Sequence, residues 1–285
     1  MKVSQRLVIA YIQTKFKILA LVSKKRAAAA AFELFCTPYM KSKPQVPSIF
    51  KAAQSIYFKL EDRKVVGWEF LPANEAGYSK TILILHGFGS AAYKFKSYIK
   101  PLTQKGYRVL AFDAPAHGYS DGKTVNAVIY SMMIREIASI YGMPDGFIAH
   151  SFGGIALSLA LENLPHSIDT RVVLIAPATE TSTAVKQAFT MLALHNQAVQ
   201  AAFHQLIFEA GGKPTAWYSI RRAMKNIQAS VLWVHDEQDE ITPVSDVIKV
   251  QEDQLANIQF IITKGLGHRK IYHDSAVKKQ VVEFL

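Results

Sequence analysis

The chain holds a single cysteine, Cys36, so it can form no internal disulfide and carries no mark of an oxidising compartment. It also lacks any uninterrupted apolar stretch near the roughly 18 residues that crossing a bilayer requires. A secretory leader is not expected either. Lys15 and Lys17 break up the clusters Leu7-Val8-Ile9, Tyr11-Ile12 and Ile18-Leu19, and the alanine run at 27–31 follows a basic cluster instead of closing an apolar core. The expectation is a cytoplasmic protein. No spacing of His, Cys and carboxylates describes a metal site, and no cofactor is called for. Internal repeats and low-complexity tracts are missing as well. Acid is scarce in one place only: residues 1–51 contain Glu33 against ten Lys/Arg, whereas the rest of the chain has 23 basic and 21 acidic residues. The net charge of +11 is therefore an N-terminal property, and with no basic and aromatic stripe elsewhere, nucleic acid is not an expected partner.

What is present is ample core: half of the 285 residues are hydrophobic, enough for one large α/β domain. Residues 4–35 read as one basic amphipathic helix, which either packs on its own domain or a partner, the plainer reading, or lies on an anionic membrane surface. A linker with Pro38, Pro44 and Pro47 follows, so the expected division is 1–49 for helix and linker and 50–285 for the main domain. Residues 55–60 and 65–71 alternate as an antiparallel pair. From 82 onward come short continuous apolar runs at 82–85, 109–112, 147–149, 172–175, 231–234 and 258–262, the signature of parallel strands buried on both faces. This is a doubly wound, mostly parallel α/β sheet. Its ligands belong beyond the carboxyl ends of the strands. The strand rhythm lapses between 176 and 229, and a helical lid at about 180–227 is expected there.

Three strand ends carry the chemistry. The run Gly146-Phe147-Ile148-Ala149-His150-Ser151-Phe152-Gly153-Gly154 is strand, tight turn and helix, with Ser151 at the apex and small residues two positions to either side. Such a turn exposes the hydroxyl and aims the Phe152 amide at a developing oxyanion. A serine needs a base, and Gly265-Leu266-Gly267-His268 after the last strand delivers an imidazole; His195 and His204 fall in the lid and His273 in the terminal helix. The acid that orients the imidazole comes from His235-Asp236-Glu237-Gln238-Asp239, where Asp236, Glu237 and Asp239 compete on spacing alone. Ile84-Leu85-His86-Gly87-Phe88-Gly89 offers the Phe88 amide as a second oxyanion donor, and the turn Asp113–Gly122 reads as structural, flooring the site.

Taken together, HGFG at 86–89, DAPAHGYS at 113–120, AHSFGG at 149–154, DEQDEITP at 236–243 and GLGH at 265–268 resemble the α/β-hydrolase superfamily, in particular its lidded esterase and lipase-like members. The resemblance runs from about residue 55 to 285 and keeps the chain order Ser, acid, His. It implies Asp239 as the acid, Phe88 and Phe152 as the oxyanion amides, and acyl transfer through Ser151. Ala149 departs from the commoner glycine. A serine at the apex argues against the epoxide and halide chemistry of relatives that carry a carboxylate there.

Two other readings use the same residues. Gly87–Ala92 after a strand, with Asp113 ending the next, fits a dinucleotide-binding turn and would make an NAD(P)-dependent oxidoreductase; a non-catalytic binding protein on the same fold is the other. Both leave the elbow and the Gly-His turn idle. The expected partner is a small acyl ester, with Phe189, Phe203 and Trp217 as substrate contacts. Lid cations such as Lys186, Lys213, Arg221 and Arg222 permit an anionic substrate. Peripheral membrane contact through residues 4–35 is the remaining candidate, and the sequence is silent on oligomeric state.

Overall fold

The computed structural model describes residues 3–38, 46–72 and 80–285; the middle of the proline-containing linker, with Pro44, lies outside them. The chain forms two compact units, one of residues 38–179 and 220–285 and one of residues 1–37 and 180–219.

The larger unit is an eight-stranded sheet: β1 (Gln54–Leu60), β2 (Arg63–Phe70), β3 (Lys80–Leu85), β4 (Tyr107–Phe112), β5 (Gly146–His150), β6 (Arg171–Ile175), β7 (Ser230–Asp236) and β8 (Ile258–Thr263). Each strand expected from the sequence is present. The spatial order is β1-β2-β4-β3-β5-β6-β7-β8. β2 pairs antiparallel with β1 and β4, and all pairs from β4 to β8 are parallel. The central strands have both faces covered, which is why they read as unbroken Val/Ile/Leu runs; Leu83, Ile84, Val109, Phe147, Val173, Leu174 and Trp233 are fully buried. After β3 the chain first moves to one side of it, to β4, and then returns to lay β5 on the other. Parallel strands bring all their carboxyl ends to one edge, and that reversal puts the switch point, where sheets of this kind bind ligands, between the ends of β3 and β5.

The smaller unit is helical, with Val3–Val22, Lys24–Cys36, Thr181–Leu192 and Gln197–Gly211. The single N-terminal helix expected over 4–35 is two. Ser23 is extended at φ −156° and its side chain accepts the Arg26 amide, ending one helix and capping the next. The small face Ala27, Ala28 and Ala31 is buried, allowing close approach of a neighbouring helix. Phe203 takes edge contacts from Phe32, Phe35 and Phe189 with ring centroids 5.6, 5.7 and 5.0 Å away. The ends of the inserted segment meet as a bridge between Glu180 and Ser219, whose hydroxyl donates to the Glu180 carboxylate at 2.7 Å. Residues 220–227, expected as the end of the lid, belong to the sheet unit. There Arg222 makes a paired contact with Glu162, and Arg221 a two-pronged one with Asp253 at 2.7 Å, so both guanidiniums are engaged in holding the fold.

Candidate active site

Ser151 stands between β5 and the helix Phe152–Leu161 with φ 53° and ψ −117°, a strained backbone for a residue with a Cβ. Its neighbours explain how the turn closes. A Cβ on Gly153 would lie 2.8 Å from the Leu85 carbonyl oxygen and 2.9 Å from that of His86, and one on Gly154 would lie 2.6 Å from the Pro177 side chain. On the facing loop, a Cβ on Gly87 would come within 2.8 Å of the His150 ring and 3.0 Å of the Ser151 Cβ. Small residues at these positions are a steric requirement of bringing β3 and β5 together.

Three strand ends converge on the hydroxyl. His268, following β8, places Nε2 2.9 Å from Ser151 Oγ, and its Nδ1 lies 2.8 Å from Asp239 Oδ2 at the end of β7. A carboxylate only accepts, so Nδ1 carries the proton and Nε2 offers its lone pair to the serine. Burial pushes the Asp239 carboxyl up, but the bond and charge of His268 and two bonds from Thr242 outweigh it, leaving the group below the ordinary aspartate range. It stays an anion.

Asp236 and Glu237 are occupied otherwise. Asp236 accepts from the Thr263 hydroxyl at 2.7 Å and from the Leu266 and Gln238 amides at 3.0 Å, tying the ends of β7 and β8 together. Glu237 is exposed and faces Lys264 at 3.8 Å. His273 ends the short 3-10 turn Ile271–His273 and precedes the terminal helix, not within it as expected. Cys36 is buried in the helical unit, its thiol pushed up to about 12 by that burial and so kept protonated.

Around this trio runs a layer that sequence reasoning passed over. Thr242 donates its amide to Asp239 Oδ1 and its hydroxyl to Oδ2, both at 2.8 Å, and its oxygen lies 3.1 Å from His268 Nδ1. Its carbonyl accepts from His235 Nε2 at 2.8 Å. His150, beside Ser151, donates from Nε2 to the main-chain oxygen of His268 at 3.1 Å and lies against Tyr272 with centroids 4.5 Å apart. Burial foremost drives its pKa down to about 3, so the ring is neutral. The only sequence signal for these groups is polar residues inside or just after apolar strands, which burial must satisfy.

The Phe88 turn is braced from below. His86 faces the Gly87 carbonyl through Nδ1 at 2.8 Å and accepts the Ala114 amide on Nε2 at 2.9 Å, while His117 Nε2 accepts the Gly89 amide at 2.9 Å. Asp113 accepts the Ala92 amide at 2.8 Å and the Tyr119 amide at 2.9 Å and is almost wholly buried. Its carboxylate is therefore spent inside the fold and is not free for a ribose, which removes the structural basis of the dinucleotide reading. Among the described residues, no backbone partner engages the amides of Phe88 or Phe152. Their rings meet edge to face at 5.4 Å. Phe189, Phe203 and Trp217 all lie in the helical unit; the first two are packed among its aromatic rings, and Trp217 carries the Lys213 ammonium 5.7 Å from its ring.

The sheet order, the strained turn and the Ser151, His268 and Asp239 geometry define an α/β-hydrolase. Within that class the chain belongs to the serine aminopeptidase S33 family, whose model matches residues 77–219. Among solved structures it is similar to an esterase from Pyrococcus furiosus, at 19% identity and TM-score 0.63 over 88% of this chain and 97% of that one. It is likewise similar to Est1E from Butyrivibrio proteoclasticus with ferulic acid bound, at 19% identity and TM-score 0.62 over 80% of this chain and 97% of the other. A curated relative is a 2-hydroxy-6-oxo-6-phenylhexa-2,4-dienoate hydrolase of Delftia acidovorans, 31% identical over 97 residues, which make up 31% of this chain and 34% of that protein. The match thus spans about a third of the curated relative's length.

Proposed function

We propose that the protein hydrolyses carboxylic esters through an acyl-enzyme formed on Ser151. The observation that carries the reading is the unbroken line Ser151 Oγ, His268 Nε2, His268 Nδ1, Asp239 Oδ2, with bonded separations of 2.9 and 2.8 Å. Ser151 Oγ attacks the ester carbonyl carbon while its proton passes to His268 Nε2. The tetrahedral oxyanion accepts from the unengaged Phe88 and Phe152 amides, and Asp239 steadies the imidazolium. Collapse breaks the bond to the alkoxide, which leaves with the proton from Nε2. Water then attacks the acyl carbon by the same route, with its proton going to Nε2 and the serine regaining one as it departs.

Esters are favoured over the amino-terminal peptide bonds of an aminopeptidase because Asp236 and Asp239, the acids after β7, are committed to the fold and to His268 and are not offered to a substrate's free amine. The test is turnover of 4-nitrophenyl esters from short to long chain by the wild type and Ser151→Ala, with intact mass after rapid quenching. The expected result is an acyl adduct on the wild type alone and loss of turnover in the variant. Equal rates in both, or hydrolysis of 2-hydroxy-6-oxo-6-phenylhexa-2,4-dienoate without ester turnover, would overturn it.

A further inference from the structure

The helix Val3–Val22 has two faces of different fate. One is packed inside the helical unit: Phe16 and Ala20 are buried, and Gln13 donates to the Met191 carbonyl at 2.8 Å. The other faces solvent and is mostly apolar. Leu7, Val8, Tyr11, Ile18, Leu21 and Val22 are all exposed, Leu21 to 82% and Leu7 to 67%. Their spacing of three, four and seven residues aligns most of them in one stripe. Lys15 and Lys17 are two residues apart and so stand about 160° apart around the axis. The outward arc between them holds Leu7, Ala10, Tyr11, Thr14, Ile18, Leu21 and Val22, and the Thr14 hydroxyl is turned back onto the Ala10 carbonyl at 2.9 Å, so the stripe has an ammonium along each border and no charge within it.

Solubility alone would place polar residues on that arc, as an exposed helix face carries elsewhere. Here the charged groups stand at its edges, where long lysine stems can lift their charge away while the centre is buried, and the one polar side chain within it, Thr14, has its hydroxyl bonded to its own helix. The rest of the unit agrees in sign. Its 77 residues hold nine Lys/Arg and three acids, with Lys24, Lys25 and Arg26 opening the helix that follows. No described helix is long and apolar enough to cross a membrane. An apolar stripe one helix long, bordered by cations and unable to span, fits the boundary layer of an anionic bilayer.

We propose that the outward face of Val3–Val22 is a membrane-interface surface that seats the protein on anionic lipid, with Leu7, Tyr11, Ile18 and Leu21 entering the headgroup boundary and Lys15 and Lys17 meeting lipid phosphates. The two readings that the sequence set against each other, packing and membrane contact, then belong to opposite faces of one helix. The seat is independent of the chemistry at Ser151.

The experiment is co-sedimentation of the full chain with vesicles of phosphatidylcholine, alone or mixed with phosphatidylglycerol. Binding to the mixed vesicles is expected, weakened by salt and by Lys15→Glu with Lys17→Glu. Leu7→Ser, Ile18→Ser and Leu21→Ser combined should weaken it on the order of tenfold or more. Ile168→Ser, at an exposed apolar residue of the sheet unit, should leave it unchanged. In a second measurement that tolerates a poorly folding triple variant, Tyr11→Trp should gain blue-shifted emission with anionic vesicles over the wild-type background. No binding by the wild type, equal binding by a folded triple variant, or emission from the Tyr11→Trp variant that does not shift with anionic vesicles would overturn the proposal. So would a self-associated species in sedimentation velocity that the triple variant dissolves, since the stripe would then be covered by a second copy.

Discussion

Thr242 is the residue on which the geometry of Asp239 turns. Its two donations to the carboxylate, at 2.8 Å each, fix the plane in which Asp239 Oδ2 meets His268 Nδ1. Thr242→Val keeps the amide and loses the hydroxyl, removing one charge-assisted bond worth about 1.5–3 kcal/mol. The expected outcome is a fall in kcat/KM of roughly ten- to a hundredfold with KM little changed, restored in large part by Thr242→Ser. Stopped-flow or steady-state ester kinetics on the three proteins check it. Ser151→Ala should be far harsher, on the order of 10⁴-fold or more in kcat, because the proposed acyl-enzyme cannot form without the Ser151 hydroxyl. The same measurement on Asp236→Asn should read differently. That carboxylate is committed to Thr263, Leu266 and Gln238, so its loss is expected as lower thermal stability before any specific loss of rate.

At the scale of elements, the turn between β5 and its helix is a steric device. Gly153→Ala puts a Cβ 2.8 Å from one backbone carbonyl and 2.9 Å from the next, neither at the end of a flexible side chain, so strand and helix must separate. A loss of about 1–3 kcal/mol is expected in urea denaturation, accompanied by a drop in turnover as Ser151 shifts away from His268. The helical unit has its own junction at Ser23, where one side chain both ends and starts a helix. Ser23→Ala removes the acceptor for the Arg26 amide, and a loss of about 1 kcal/mol is expected in that unit. Limited proteolysis near residue 23 reads the effect locally.

For the molecule as a whole, pH acts through histidines held neutral. Burial, the leading cause for each, lowers His86 to about 4 and His150 to about 3 from an ordinary value of 6.5. The unfolded chain takes up those protons as pH falls through 6.5, while the folded one refuses them until far lower. Between these limits the unfolded state binds more protons, so stability is fully present above about pH 6.5 and is lost progressively toward pH 4 and 3. His235, lowered in the same direction, adds to the slope. Urea midpoints at pH 7.5, 6 and 5 should decline in that order, and a flat series would contradict the buried, neutral assignment. The uneven charge acts at this scale too: 77 residues of the helical unit carry a net excess of six positive charges, which the lipid-binding test reads as salt sensitivity.

The eight strands, their parallel majority and the trio Ser151, Asp239 and His268 were legible in the sequence because each leaves a local trace. Buried parallel strands must be apolar throughout, an elbow must be flanked by small residues, and a base must follow a strand on a turn that lets it swing inward. Choosing Asp239 over Asp236 took the resemblance to known hydrolases, since both acids stand after the same strand; the physical reason appears only when Asp236 is found knotting β7 to β8. Thr242, His235 and His150 left almost no trace, because their partners lie 3 to 118 residues away and a bonded polar side chain looks in sequence like any other. The split of the N-terminal helix at Ser23, and the gathering of residues 1–37 with 180–219 into one unit, are likewise decisions of tertiary structure. Helical periodicity states that a helix has an apolar face; it does not state what covers that face, and on Val3–Val22 only the folded chain separates the apolar residues that are packed from those left to water.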